Sequence, residues 1–136
     1  MSKVAVVYWS GTGNTQAMAE AVKSAIGADL FEADAFDADL AAKYDAFAFG
    51  CPAMGSEVLE EDVFDPMFTQ IEGSLSGKKA ALFGSYGWGD GEWMRNWEDR
   101  CREDGIELVH DSVICLDAPD DDTLEALKDL AHALEN

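Results

Sequence analysis

The stretch Ser10-Gly11-Thr12-Gly13-Asn14-Thr15 sets hydroxyl and amide side chains around a pair of glycines. Where such a turn opens a helix, free backbone N–H groups and the positive end of the helix dipole form an anion site. The hydroxyls of Ser10, Thr12 and Thr15 and the Asn14 amide add further donors. The Walker pattern fails here because no lysine follows the glycines, and the dinucleotide pattern fails because Gln16 stands where it needs a third glycine. A helix cap alone would need one such side chain. The polar density points instead to a terminal phosphate held without a counter-charge.

Two later stretches carry related chemistry. In "GCPAMGSE", Gly50 to Glu57, Gly55 stands beside the adaptable thioether of Met54, so a peptide there can take two orientations. In "GSYGWGDGEWM", Gly84 to Met94, glycines alternate with an aromatic residue. Backbone N–H groups can then approach a ligand while Trp88 offers a flat face, which implies a planar ligand.

The elements that must position these loops follow from hydrophobic periodicity. Val4 to Trp9 reads as a buried strand, and Met18, Val22, Ala25 and Ile26 mark one face of a helix stopped by Gly27. Short strands are expected at Leu30 to Ala33, Ala46 to Phe49 and Lys79 to Phe83, the last two ending at Gly50 and Gly84. Ala38 to Tyr44 reads as helical, and Trp93, Met94, Trp97 and Cys101 as the inner face of a helix ending at Gly105. Ile106 to Leu116 supplies the last strand, with a break near His110 to Ser112, and Leu124, Leu127, Leu130, Ala131 and Leu134 stripe the final helix. Strands alternating with helices imply a doubly wound α/β fold, a five-stranded parallel sheet in a three-layer α/β/α sandwich. Ligands of such sheets sit beyond the carboxyl ends of the strands, where the three polar loops fall.

The chain of 136 residues is expected to form a single domain over 1–136. With 28 acids against 9 bases its net charge is −19, which repels nucleic acid and anionic lipid and favours basic partners. Its three cysteines, Cys51, Cys101 and Cys115, show no metal or disulfide spacing. The apolar start is too short for a signal peptide, and no run reaches membrane-spanning length. The expectation is a cytoplasmic protein with reduced thiols and no membrane insertion. His110 and His132 read as ordinary strand and helix-face residues.

The three loops in this order resemble those of the flavodoxins, small one-electron carriers that hold FMN, and the likeness is closest to the short-chain type of anaerobic bacteria. The resemblance implies a flavodoxin-like fold and tightly bound, non-covalent FMN shuttling between semiquinone and hydroquinone at low potential. It implies that Ser10, Gly11, Thr12, Gly13, Asn14 and Thr15 hold the phosphate. Pro52, Ala53, Met54, Gly55, Ser56 and Glu57 would form the second flavin loop. In the family the matching peptide turns over on one-electron reduction, so the resemblance implies that the peptide at Met54-Gly55 would turn over and the Gly55 carbonyl would accept from flavin N5, while Glu57 would accept from N3–H. Ser85, Tyr86, Gly87, Trp88 and Gly89 would form the third loop, with Trp88 on the outer face of the ring. The long-chain insertion is not evident, and Asp117 matches the family only loosely.

Acids crowd these loops: Glu57, Glu60, Glu61, Asp62, Asp90, Glu92, Asp117 and Asp120 to Asp122, with no base in Gly50 to Asp65. At about 10 Å and cellular salt their sum against an anionic reduced ring is about 1 kcal/mol. That is on the order of 50 mV, enough to trim a potential but not to set it. The acids also suit steering of partner oxidoreductases with basic docking surfaces toward a monomeric carrier. An FMN-dependent quinone reductase is the alternative, but it would need a substrate pocket for which the compact chain shows little room. A phospho-accepting receiver domain is excluded, because Trp9-Ser10 and Gly50-Cys51 stand where it needs acids.

Overall fold

A computed structural model describes residues 3–135. The chain runs β1 (Val4–Tyr8), α1 (Asn14–Ile26), β2 (Asp29–Glu32), a 3-10 turn (Ala33–Ala35), α2 (Ala38–Ala41) and β3 (Ala46–Gly50). It continues through α3 (Phe64–Glu72), β4 (Lys79–Tyr86), α4 (Glu92–Glu103), β5 (Glu107–Leu108), β6 (Val113–Leu116) and α5 (Asp121–Glu135). All strand pairings are parallel, in the order β2-β1-β3-β4-β5. β5 pairs with Lys79 and Ala80, and β6 with Phe83 to Tyr86, so the two short strands share one lane beside β4. This is the doubly wound parallel α/β architecture that the alternation implies, with the fifth strand broken across Val109 to Ser112 as expected.

Strand residues alternate between two apolar layers. Val4 and Val6 of β1 and Phe83 of β4 pack on one side with Met18 and Val22 of α1 and Leu127, Leu130 and Leu134 of α5. On the other side Phe47 and Phe49 meet Phe64, Phe68 and Ile71 of α3 and Trp93 and Trp97 of α4. β3 offers Ala46 and Ala48 to the first layer and the two phenylalanines to the second, so small side chains admit α1 and α5 closely while rings fill the thicker side. Edge-to-face contacts knit that side together, including Phe49–Phe68 at 5.2 Å and Phe64–Trp97 at 5.3 Å between centroids.

Arg100 ties α3 to α4. Its Nε donates to Glu72 Oε2 at 2.8 Å, Nη1 to Asp65 Oδ1 at 2.9 Å and Nη2 to Thr69 Oγ1 at 2.9 Å. The hydrogen bond from Arg100 holds the Glu72 carboxyl below the usual carboxylate range. Asp104 shares a hydrogen bond with Glu72 and is shielded from water, which pushes it up to about 6. Two facing carboxyls can bond only when one carries a proton.

Several boundaries differ from the sequence expectation. β4 does not stop at Gly84 but runs to Tyr86, so Ser85 and Tyr86 are strand residues. A β-carbon at Gly84 would collide with the Cys51 carbonyl, so this glycine serves close strand approach rather than a turn. Cys51 donates its N–H to Phe83 O, and Ala53 its N–H to Ser85 O, carrying the first loop residues after β3 along β4. β2 ends at Glu32, because Ala33 enters the 3-10 turn. α2 ends at Ala41 rather than Tyr44, whose hydroxyl turns back to Asp29 Oδ2 at 2.6 Å. β1 stops at Tyr8, short of Trp9. Leu124 is 39% exposed, outside the buried stripe of α5, and His110 lies in the gap between β5 and β6.

Candidate functional site

The loops after β1, β3, β4 and β6 gather at the carboxyl ends of the strands. In the first, Ser10 Oγ accepts from Gly13 N–H at 3.0 Å and Thr12 Oγ1 from Asn14 N–H at 3.5 Å. Gly13 takes φ 95 as the N-cap of α1, and the first turn of that helix has no acid. Thr15 is buried, with Oγ1 at 3.2 Å from Ser85 Oγ and accepting from Ser85 N–H at 3.4 Å. The loop is thereby fastened to β4. Trp9 lies under it: a β-carbon on Gly11 would come within 3.0 Å of the Trp9 ring.

The second loop is held at both ends. Trp93 Nε1 donates to Cys51 O at 3.1 Å. At the far end Glu60 is buried, and its carboxylate accepts from Asp62 N–H at 2.8 Å, Val63 N–H at 2.8 Å and Phe64 N–H at 2.7 Å. Glu60 thus caps the start of α3 from within the loop. Between these anchors, Met54 donates its N–H to Val58 O at 3.0 Å and accepts from Glu57 N–H at 2.8 Å, closing a turn around exposed Gly55 and Ser56. Burial pushes the Cys51 thiol up, so it offers no reactive thiolate beside the loop.

Glu57 has φ 52, and its buried carboxylate has no hydrogen-bond partner on either oxygen. It lies against Gly89 of the third loop, where a β-carbon would overlap it. Beside Gly89, Trp88 is 61% exposed. Tyr86 packs on Trp93 with centroids 5.6 Å apart. Arg95 donates Nη1 to Asp90 O at 3.0 Å and pairs Nη2 with Asp90 Oδ1 at 3.2 Å, so the basic residue following this loop is spent on the loop itself.

Thr12, Asn14, Pro52, Ala53, Ser85, Tyr86, Gly87 and Asp117 border one cleft of about 140 Å³. All three polar stretches therefore contribute, whereas Ser10, Gly11, Gly13, Thr15, Met54 to Glu57, Trp88 and Gly89 do not border this cleft. Asp117, weakly matched in the sequence, joins the rim: it has φ 59 and donates its N–H to Tyr86 O at 2.8 Å. Glu60 and Trp93 were not singled out as loop anchors. An acid at the fourth residue before Phe64 was the available signal for the first, and the second had none, since Trp93 reads as core.

The residues fit a planar, phosphate-bearing ring. Neutral donors stand at a helix N-terminus, an aromatic face is exposed, and a buried carboxylate lacks a donor, as it would opposite a ring N–H. Among the described residues no group of His, Cys, Asp or Glu could hold a metal, and no helix is long and apolar enough to cross a membrane.

The sequence profile of the flavodoxin family matches residues 6–130. Among curated relatives, the chain is 48% identical over 118 residues to a flavodoxin of Megasphaera elsdenii, covering 82% of this chain and 85% of that one. It is 44% identical over 135 residues to a flavodoxin of Clostridium beijerinckii, covering 93% and 98%. Among solved structures, two-electron reduced Megasphaera elsdenii flavodoxin superposes with a TM-score of 0.87 at 43% identity, over 96% of this chain and 97% of that one. An archaeal flavodoxin superposes with a TM-score of 0.83 at 28% identity, over 98% and 96%.

Proposed function

The chain belongs to the flavodoxin family, and from that premise we propose how its own residues hold the cofactor and meet partners. It is a small FMN-binding electron carrier, an electron-transfer protein rather than an enzyme. FMN supplies the one-electron chemistry, and we assign one per chain to the single domain.

The phosphate lies at Ser10 to Thr15. Ser10 and Thr12 accept backbone amides and keep their own O–H groups to donate. In the Thr15–Ser85 pair one hydroxyl serves the other, so one proton of the pair also stays available. No Lys or Arg occurs from Trp9 to Val22. A permanently held phosphate needs positioning rather than activation, and neutral donors at a helix terminus supply it.

Pro52 to Ser56 border the inner face of the ring, with Met54 against it, and Glu57 accepts from N3–H. Tyr86 to Gly89 border the outer face, with Trp88 stacked there and Gly87 to Gly89 amides toward N1 and the pyrimidine oxygen. With Arg95 neutralised by Asp90, these loops offer the reduced ring no free cation, which favours a low potential. The surface acids steer oxidoreductases with basic docking surfaces to a cytoplasmic monomer.

The observation that carries this reading is the partnerless buried Glu57 carboxylate beside exposed Trp88. Titrating the protein with FMN should quench flavin fluorescence at one equivalent, and a spectroelectrochemical titration should resolve two one-electron steps. Failure to bind FMN, or one unresolved two-electron step, would contradict it.

A further inference from the structure

Trp88 is 61% exposed, and the backbone that carries it, Gly87 to Gly91, has positive φ at Gly89 and Gly91. Glycine-rich backbone has the most conformational freedom to lose, so a side chain on it keeps one place only where the ends of its loop are held. One end is Tyr86, the last residue of β4, and the other is Glu92, the first residue of α4.

Trp93 meets both ends and the second loop as well. It follows Glu92 directly, its ring packs on Tyr86 with centroids 5.6 Å apart, and its Nε1 donates to Cys51 O at 3.1 Å, at the root of the second loop. Both residues are fully buried, so the bond is made away from water, where a group left unpaired is costly. Gly84 makes room for it: a β-carbon there would strike the Cys51 carbonyl and stand 3.2 Å from Trp93 Cζ2. The other contacts on the third loop hold it less firmly. Glu57 touches Gly89, but its carboxylate makes no hydrogen bond, and the Arg95–Asp90 pair is exposed, where an ion pair contributes little.

We propose that Trp93 is a positioning residue for Trp88: by joining the ends of the third loop to the root of the second, it holds the Trp88 face ready for the flavin ring. The proposal rests on the assignment of Trp88 to the outer face of the ring. A ligand that meets an ordered loop does not bear the entropy of ordering it, so the hydrogen bond from Trp93 is read out as affinity for the ring. A merely structural role of Trp93 in the core would not depend on whether Trp88 is present.

The test is a double-mutant cycle between positions 93 and 88, read by quenching of flavin fluorescence with FMN and riboflavin as probes. Trp93→Phe keeps a ring against Tyr86 and deletes the donor. Benzothienylalanine at the same position keeps both fused rings, with sulfur in place of the N–H, and decides the outcome where Trp93→Phe does not fold. Either replacement should weaken both flavins about three- to tenfold and by the same factor, since the effect belongs to the ring. In a Trp88→Ala background the same replacement should weaken them by about twofold or less. Equal loss with and without Trp88, a loss confined to FMN, or no loss at all would overturn the proposal. Trp88→Ala alone tests the underlying assignment, because it should weaken both flavins. Unchanged affinity in that variant removes the assignment and this inference with it.

Discussion

Gly55 has neither a positive φ nor any atom within 4 Å of where a β-carbon would stand. Alanine would fit this conformation without strain. Turning over the Met54-Gly55 peptide, however, rotates φ at Gly55 and carries it toward the positive values that glycine adopts at no steric cost. That conformation costs an L-residue about 1 kcal/mol or more relative to glycine. Gly55→Ala should therefore leave the melting temperature of the apoprotein unchanged and bring the two one-electron potentials closer by about 40 mV, as read by spectroelectrochemistry. Trp88 was legible as a candidate site residue because glycines flank it and its type suits a ring, and Glu57 because its loop resembles the family's second flavin loop. The isolation of the Glu57 carboxylate was not legible, since it follows from the approach of Gly89, over thirty positions away in sequence.

Between β3 and α3 the burden falls on Glu60. Its buried carboxylate satisfies the amides of Asp62, Val63 and Phe64, which would otherwise be orphans at a helix start. Glu60→Ala should lower unfolding free energy by about 3 kcal/mol in urea titration, with Glu60→Gln intermediate. At the other end of α3, Glu72 and Asp104 give opposite pH dependences. Asp104 is raised to about 6 in the fold from an ordinary 3.8, so its contribution is complete below the unfolded value and is lost as pH rises through about 6. Glu72 is lowered, so its contribution is present above the ordinary 4.5 and is lost only as pH falls below that. Between pH 7 and 5 the urea midpoint should thus gain from Asp104, and Asp104→Asn should flatten that rise. The alternation of strand and helix, and the stop at Gly27, were readable because periodicity and backbone freedom are local. The end of β4 was not: Gly84 looks like a breaker until Cys51 is seen pressed against it. α2 likewise reads too long, because the pull of Asp29 on Tyr44 is a tertiary contact.

For the molecule as a whole, a net charge of −19 makes encounter with basic proteins long-ranged. The bimolecular rate of electron transfer to a basic cytochrome should fall at least about tenfold between 10 and 300 mM salt, measured by stopped flow. A flat profile would remove steering from the account. The same charge bears on how copies of the chain meet one another, and there the divided fifth lane of the sheet matters. An edge strand is an open template for a stranger's backbone, and its danger grows with its length and flatness. Here one edge is β2, four residues opened and closed by Asp29 and Glu32, and the other is broken into β5 and β6, of two and four residues. Asp111 stands in the break and Asp117 at its far end. Neither border of the sheet offers a continuous, uncharged run on which a second sheet could grow, so the chain is built to resist aggregation when it is crowded.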